Sequence, residues 1–531
     1  MPETKKAKGP VTCLGMTFEN DQERRAYFTK ILRQKLPELK KIEGYPIGED
    51  EDILALSDPP YYTACPNPFI NDFIKEWEQE KEERYSRVEE VYHREPFIAD
   101  VAEGKNDAIY NAHGYHTKVP YKAIMRYILH YTEPGDIILD AFSGTGMTGI
   151  AAGQCSNPEA KFKSELQKEN SNYSYGARKA ILADLSPAAS FISHHYNIPS
   201  NVEEFQKQAK GLLEKCEQTL GWMYETNHVD DQGKTLVVDG KALTGTVTNF
   251  VWSDVLICPN CTSEIVFWDV AVDKVNQVID SEFVCNQCST NLTKQRCENA
   301  FESIYDEKID SVVKMVKQIP VLILYELDGK RYQKVPDTED VQKIRKINEM
   351  AIPHWFPSDR MVLGTESRRN DIFGITHVHH FYTKRNLLAL AGLLKEINKK
   401  ESLRPAWFVL TASLQRANKT NRFRFKGTGG LSGTLYIPSL VFERNVFQLF
   451  RTKLRDVVKA KALIVDHNSV VSTSSASSLD HIPADSVDYI FTDPPFGSNL
   501  NYSELSFIWE AWLCVITNNA SEAIVNHVQK K

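Results

Sequence analysis

The chain has 531 residues, with 63 Lys and Arg against 70 Asp and Glu and a formal net charge of −7. That length suits roughly three to four domains with a sizeable core. A negative balance excludes a uniformly basic nucleic-acid-binding chain, so any cationic surface must be local. No apolar run reaches the roughly 18 residues that would span a bilayer, and Met1-Pro2-Glu3-Thr4-Lys5-Lys6 lacks the apolar core of a signal peptide. A cytoplasmic protein without membrane contact is expected.

Residues 1–110 are charged, with apolar residues at helical spacing from Glu19 to Leu39 and from Ile70 to Tyr92. Between these stretches, Ile53-Leu54-Ala55-Leu56 reads as a short strand leading into Asp58-Pro59-Pro60-Tyr61 and on to Cys65-Pro66-Asn67-Pro68-Phe69. Residues 111–200 carry an α/β texture. A buried strand at Ile137-Ile138-Leu139 leaves through Asp140-Ala141-Phe142-Ser143-Gly144-Thr145-Gly146. Glycines at such a strand-to-helix turn let the backbone approach a cofactor, and the helix amino terminus favours its negative group. The turn is neither a dinucleotide fingerprint nor a P-loop. A second strand, Ala180 to Ala183, ends at Asp184, whose carboxylate can accept both ribose hydroxyls of an adenosyl group or simply cap the next helix.

Residues 201–355 are expected to form an insertion built around two CxxC pairs, Cys258/Cys261 and Cys285/Cys288. Their spacing and strand-like flanks suit a zinc ribbon, and four thiolates leave no open position, so the Zn2+ would be structural. Cys13, Cys65, Cys155, Cys216, Cys297 and Cys514 show no such pairing and read as buried or incidental. Within residues 356–460, the stretch from Arg416 to Gly427 interleaves cations with aromatics. Arg416, Lys419, Arg422, Arg424 and Lys426 are candidates for phosphate contacts, against the alternative of a solvated basic loop. His377, His379 and His380 have no carboxylate nearby in the sequence and read as surface or core histidines rather than metal ligands.

In residues 461–531 the α/β texture returns. The run Val487 to Thr492 ends in Asp493-Pro494-Pro495-Phe496. The Asp carboxylate and a Pro carbonyl can each accept a hydrogen bond from one exocyclic amine, and the Phe ring offers a stacking face. That is a socket for an extruded nucleobase. Upstream, Asp480 in Ser478-Leu479-Asp480-His481 could meet the amino group of a cofactor adenine or cap a turn. Asn499, Asn501 and Tyr502 could hold the base or be exposed loop polarity.

Asp140 to Gly146, Asp480, and Asp493 to Phe496 resemble the cofactor and catalytic motifs of S-adenosylmethionine-dependent amino-methyltransferases. Tyr115 to Pro120, containing Lys118, resembles the segment lining the methionine end of the cofactor. With its CxxC pairs, the chain is similar to bacterial adenine-specific DNA methylases that contain a zinc ribbon. The resemblance implies a Rossmann-like α/β methyltransferase sheet with zinc-ribbon and mixed α/β insertions. It also implies methylation of adenine N6 in double-stranded DNA, with Asp493, Pro494, Pro495 and Phe496 at the base. Lys118, Asp140, Phe142, Ser143, Gly144, Gly146, Asp184 and Asp480 would hold the cofactor. N4 of cytosine, RNA, or a non-catalytic DNA-binding subunit are the alternatives.

Two features depart from that pattern. Asp58 to Tyr61 is a second candidate socket, in the opposite order relative to the cofactor turn, and the C-terminal one is preferred. Only 35 residues follow Phe496, too few for the three strands that normally complete the sheet. The expectation is a sheet incomplete at its C-terminal strands, completed by a second polypeptide or impaired in activity.

Overall fold

The computed structural model describes residues 9–85, 92–98, 106–427, 429–464 and 466–530. The chain divides into two compact units, one from residues 1–206 and 455–525, the other from residues 207–454 and 526–530.

The first unit is built on a five-stranded parallel sheet. Its order is Tyr489–Ile490, Ile137–Asp140, Lys179–Asp184, Ser469–Thr473 and Tyr62–Thr63. All four residues of the Ile137–Asp140 strand are buried, as expected for a parallel strand covered on both faces. Chain order reverses between Ile137–Asp140 and Tyr489–Ile490. In open α/β sheets such a switch point opens a crevice at the strands' carboxyl ends. Tyr489–Ile490 has a single strand neighbour among the described residues, and Ile490 is 59% exposed.

The N-terminal region belongs to this unit. Helix Asp21–Leu39 starts at Asn20, whose side chain accepts from the Glu23 N–H, and buries Phe28, Leu32 and Leu36. Ile53 to Leu56, expected as a strand, forms the end of a helix, Asp50–Leu56. Asp50, Glu51 and Asp52 occupy its first turn, where carboxylates complement the helix dipole, while Ile53 and Leu54 are buried. The expected helix from Ile70 to Tyr92 is Ile70–Arg84; residues 86–91 lie outside the described residues.

The second unit is organised by one long strand, Thr244–Ile257. It pairs antiparallel with Gln318–Leu327, Leu440–Arg444, Glu225–Asn227, Glu264–Val266 and Glu298–Asn299. Residues 201–355 and 356–460, read separately from the sequence, thus share one sheet. The long strand leads into the first CxxC turn, and hairpin Glu282–Val284/Asn291–Thr293 carries the second. In each knuckle a backbone N–H bonds back to the first cysteine's carbonyl: Thr262 N to Cys258 O at 2.9 Å, and Ser289 N to Cys285 O at 3.0 Å. The four Sγ atoms lie within 4.8 Å of one another. The pairs Cys258–Cys288 and Cys261–Cys285 stand 3.7 and 3.8 Å apart. Tetrahedral zinc with Zn–S of about 2.3 Å sets sulfurs about 3.8 Å apart, so the set fits that ion. Asn260 Nδ2 donates to Cys288 Sγ at 3.4 Å, which stabilises a thiolate there. Phe267, Trp268, Phe283 and Phe423 pack around the knuckles.

Metal analysis should find one zinc per chain. Cys285→Ser should lose it and melt at lower temperature, because structural zinc binding is coupled to folding; a variant with unchanged zinc content would contradict the four-cysteine site.

Candidate active site

A cavity of about 380 Å³ opens at the carboxyl ends of the first unit's sheet. Its floor is the turn from Asp140 to Thr145, with Gly146 behind it. Asp140 is buried; its Oδ1 accepts from Phe142 N at 3.1 Å and its Oδ2 from Thr148 Oγ1. Gly146, at φ 73°, caps helix Met147–Gln154, and a Cβ there would sit 2.2 Å from Ser193 Oγ. Only glycine fits that approach. Asp184 closes the other side: its Oδ2 accepts from Gly144 N at 2.8 Å and its Oδ1 from Ser186 N at 2.9 Å. It therefore shapes the turn, while each oxygen keeps a second lone pair.

Several cavity residues have no sequence signature. Ser475, Ala476 and Ser477, just beyond strand Ser469–Thr473, line it, as does Glu522, whereas Tyr115 and Tyr502, both singled out in the sequence, line it too. Glu522 accepts from Ser503 N at 2.8 Å and Ser503 Oγ at 2.6 Å, folding the tail over helix Tyr502–Leu513. On that helix, Glu510 is fully buried and accepts from Ser186 Oγ and Thr517 Oγ1, each at 2.6 Å. These carboxylates are distant in sequence from the turns they brace, so no local pattern marks them.

The candidate cofactor residues Lys118, Asp140, Phe142, Ser143, Gly144 and Asp184 all line this cavity. Lys118 Nζ also donates to the carbonyls of Tyr110 and His113. Asp480 does not line it: the residue is exposed in a turn, and Ser475 to Ser477 occupy the strand end where it was expected. Asp493 and Pro495 line the cavity, whereas Phe496 stands 70% exposed beside it. Tyr502 joins the two sides, its hydroxyl 3.1 Å from Thr117 Oγ1.

Asp58 to Tyr61 has a different environment. It precedes strand Tyr62–Thr63, at the opposite edge of the sheet from Tyr489–Ile490. Arg24 Nη2 donates to Asp58 Oδ1 at 2.9 Å and Nη1 donates to the Pro59 carbonyl at 2.6 Å. The guanidinium carbon lies 4.8 Å from the Tyr61 ring centroid. The acceptors and ring that a base would use are engaged by the protein's own arginine. His194 Nε2 lies 3.3 Å from Asp58 Oδ2. Burial opposes ionisation of Asp58, but Arg24 and His194 hold its carboxyl well below the usual range.

In the second unit, Arg416, Arg424 and Lys426 are exposed. Arg422 and Lys419 are half-buried, and Lys419 faces a separate cavity, so the basic stretch does not present all five cations to solvent.

Burial raises three carboxyls around the first cavity: Asp140 to about 7, Asp184 to about 6 and Glu510 to about 7. Each binds its proton more tightly folded than unfolded. Their contribution to stability is therefore greatest below about pH 4 and falls as pH rises towards 7. Between pH 5 and 8, Asp140→Asn should lose less stability than the parent protein, measured by denaturant midpoints; parallel pH profiles would contradict this.

Residues 12–157 match the family model of N6/N4-type DNA methylases. The match includes Asp58 to Tyr61 and Asp140 to Gly146 but not Asp493, and the rest of the chain is outside it. No curated protein and no solved structure matches the chain. The family match supports an amino-methyltransferase activity dependent on S-adenosylmethionine.

Proposed function

We propose that the protein methylates N6 of adenine in double-stranded DNA, using S-adenosylmethionine and Asp493 to Phe496 as the base socket. The observation that carries this reading is the shared cavity: Asp493 and Pro495 line the same space as the turn from Asp140 to Thr145. No helix among the described residues is long and apolar enough to cross a membrane. The cytoplasm is the proposed location.

The cavity suits the cofactor chemically. Asp140, Asp184 and Glu522 can complement a sulfonium and an ammonium, and glycines at the turn admit close backbone approach. Asp184 would take the ribose, and Ser475 to Ser477 the adenine. When bound, S-adenosylmethionine supplies an electrophilic methyl group. The protein's own task is positioning. The Asp493 carboxylate and the Pro494 carbonyl accept hydrogen bonds from the target amine, which draws its lone pair out of conjugation and aims it along the methyl–sulfur axis. Phe496 covers the base on one face. Exposed Arg416, Arg424 and Lys426 supply phosphate contacts.

Methylation of N4 of cytosine is the second reading, since the matched family model spans both N6 and N4 enzymes. Leading the socket with Asp favours adenine. The outer edge of Tyr489–Ile490, which pairs with no strand among the described residues, supports completion of the sheet by a further polypeptide segment.

Radiolabelled methyl transfer to unmethylated DNA, followed by nucleoside separation, tests the proposal. N6-methyladenine is expected. Asp493→Ala should abolish transfer while keeping cofactor affinity, whereas Asp58→Asn should lower stability and spare the chemistry of the folded fraction. Full activity in Asp493→Ala would overturn the assignment.

A further inference from the structure

Two segments distant in sequence line the first unit's cavity: Ser475 to Ser477, and a tail that contributes Thr517, Ser521, Glu522 and Ala523. Residues 43–48 of the N-terminal region join them. Gly44 is buried at φ 76°, and a Cβ there would stand 2.8 Å from Ser475 Cβ and 2.9 Å from Leu185 Cδ1, both on cavity-lining residues. Its backbone therefore lies directly behind the wall. Ile47 and Ile516 exchange two backbone hydrogen bonds of 2.8 Å each, and Asn518 Nδ2 donates to the Tyr45 carbonyl at 3.1 Å. The tail is held at its far end as well, where Val525 N donates to the Gly497 carbonyl at 2.9 Å, next to Phe496.

Glu43 supplies the polar part of this junction. Its Oε1 accepts from Ser521 Oγ at 2.8 Å and from Ser477 Oγ at 3.3 Å, so one oxygen ties the two lining segments together. A carboxylate only accepts, which commits both hydroxyl protons to Glu43. Ser475 Oγ lies 2.7 Å from Ser477 Oγ. With the Ser477 proton already engaged, Ser475 is the donor of that pair, and its own oxygen accepts from Ser477 N at 3.3 Å.

The three hydroxyls consequently have no proton left for a ligand. What they retain is lone pairs, so a group that meets these oxygens must donate to them. The exocyclic amine of adenine is such a donor. A 6-oxo purine, nearly the same in shape, presents an acceptor at that position.

We propose, on the reading of this cavity as the S-adenosylmethionine site, that Glu43 is a positioning residue. It orients Ser477 and Ser521 as acceptors for the amino group of the cofactor's adenine, and thereby selects the adenosyl compound over its 6-oxo analogue. Glu43 acts through the two serines and does not itself line the cavity.

Calorimetric titration of the full, zinc-loaded chain tests this, with S-adenosylhomocysteine and its deaminated analogue S-inosylhomocysteine as probes. The parent should bind the adenosyl compound more tightly. Glu43→Ala frees the hydroxyls to rotate and donate, and the ratio of the two affinities should fall by about threefold or more, the worth of an ordinary hydrogen bond. Glu43→Gln keeps an oxygen that both hydroxyls can use, and should restore most of the ratio. The ratio compares two ligands on the same folded protein, so a loss of stability alone does not move it. An unchanged ratio in Glu43→Ala, or equal binding of both compounds by the parent, would overturn the proposal and leave the cofactor cavity standing. A parent that binds neither compound would overturn both.

Discussion

The parallel pairing of two short strands from distant parts of the chain underlies the candidate site. Tyr489 pairs with Ile138 and Ile490 with Leu139, so the Asp493 socket emerges beside the Asp140 turn. Asp488 secures the start of that pairing. Its Oδ2 accepts from Ile137 N at 2.8 Å and from Lys81 Nζ at 2.7 Å, and Lys81 comes from the N-terminal region. The insertion between the two strands folds as a unit on its own long central strand. Loop-closure entropy grows only slowly with length, so a large self-folding insertion is compatible with this short pairing.

The two Asp-Pro-Pro motifs show how environment separates similar strings. At Asp493 the carboxylate lines a cavity, and the following ring at Phe496 is exposed. At Asp58 a buried guanidinium donates to the carboxylate and the first proline's carbonyl while lying against the ring. Removing either partner there would leave an uncompensated buried charge. The Asp58 motif is thus wired into the packing of the N-terminal helix, even though the family match runs through it.

Features legible in the sequence are those encoded over a few residues: the glycine turn at Asp140 to Gly146, the CxxC knuckles, and the apolar run into Asp493. Contacts between remote residues were not. Arg24 lies on a charged helix with nothing local to indicate that it fills the Asp58 motif. Asp306 meets His379 and His380 only because a hairpin brings it there. Lys419 belongs to a basic stretch that looks solvated, yet the fold turns it towards a cavity. Ile53 to Leu56 reads as a strand from its apolar run alone, but the acidic first turn before it makes it the end of helix Asp50–Leu56. The spacing of Asp480 from Asp493 points to the cofactor, whereas Ser475 to Ser477 line the cavity at that strand end.

In the proposed function, the Asp140 turn and the Asp493 socket serve one reaction. An experimental structure with S-adenosylhomocysteine bound tests it most directly. The ligand's adenosine is expected beside Asp184 and Ser475 to Ser477, with its sulfur facing Asp493. A sulfur directed towards Asp58, or a ligand seated outside the Asp140 cavity, would contradict it.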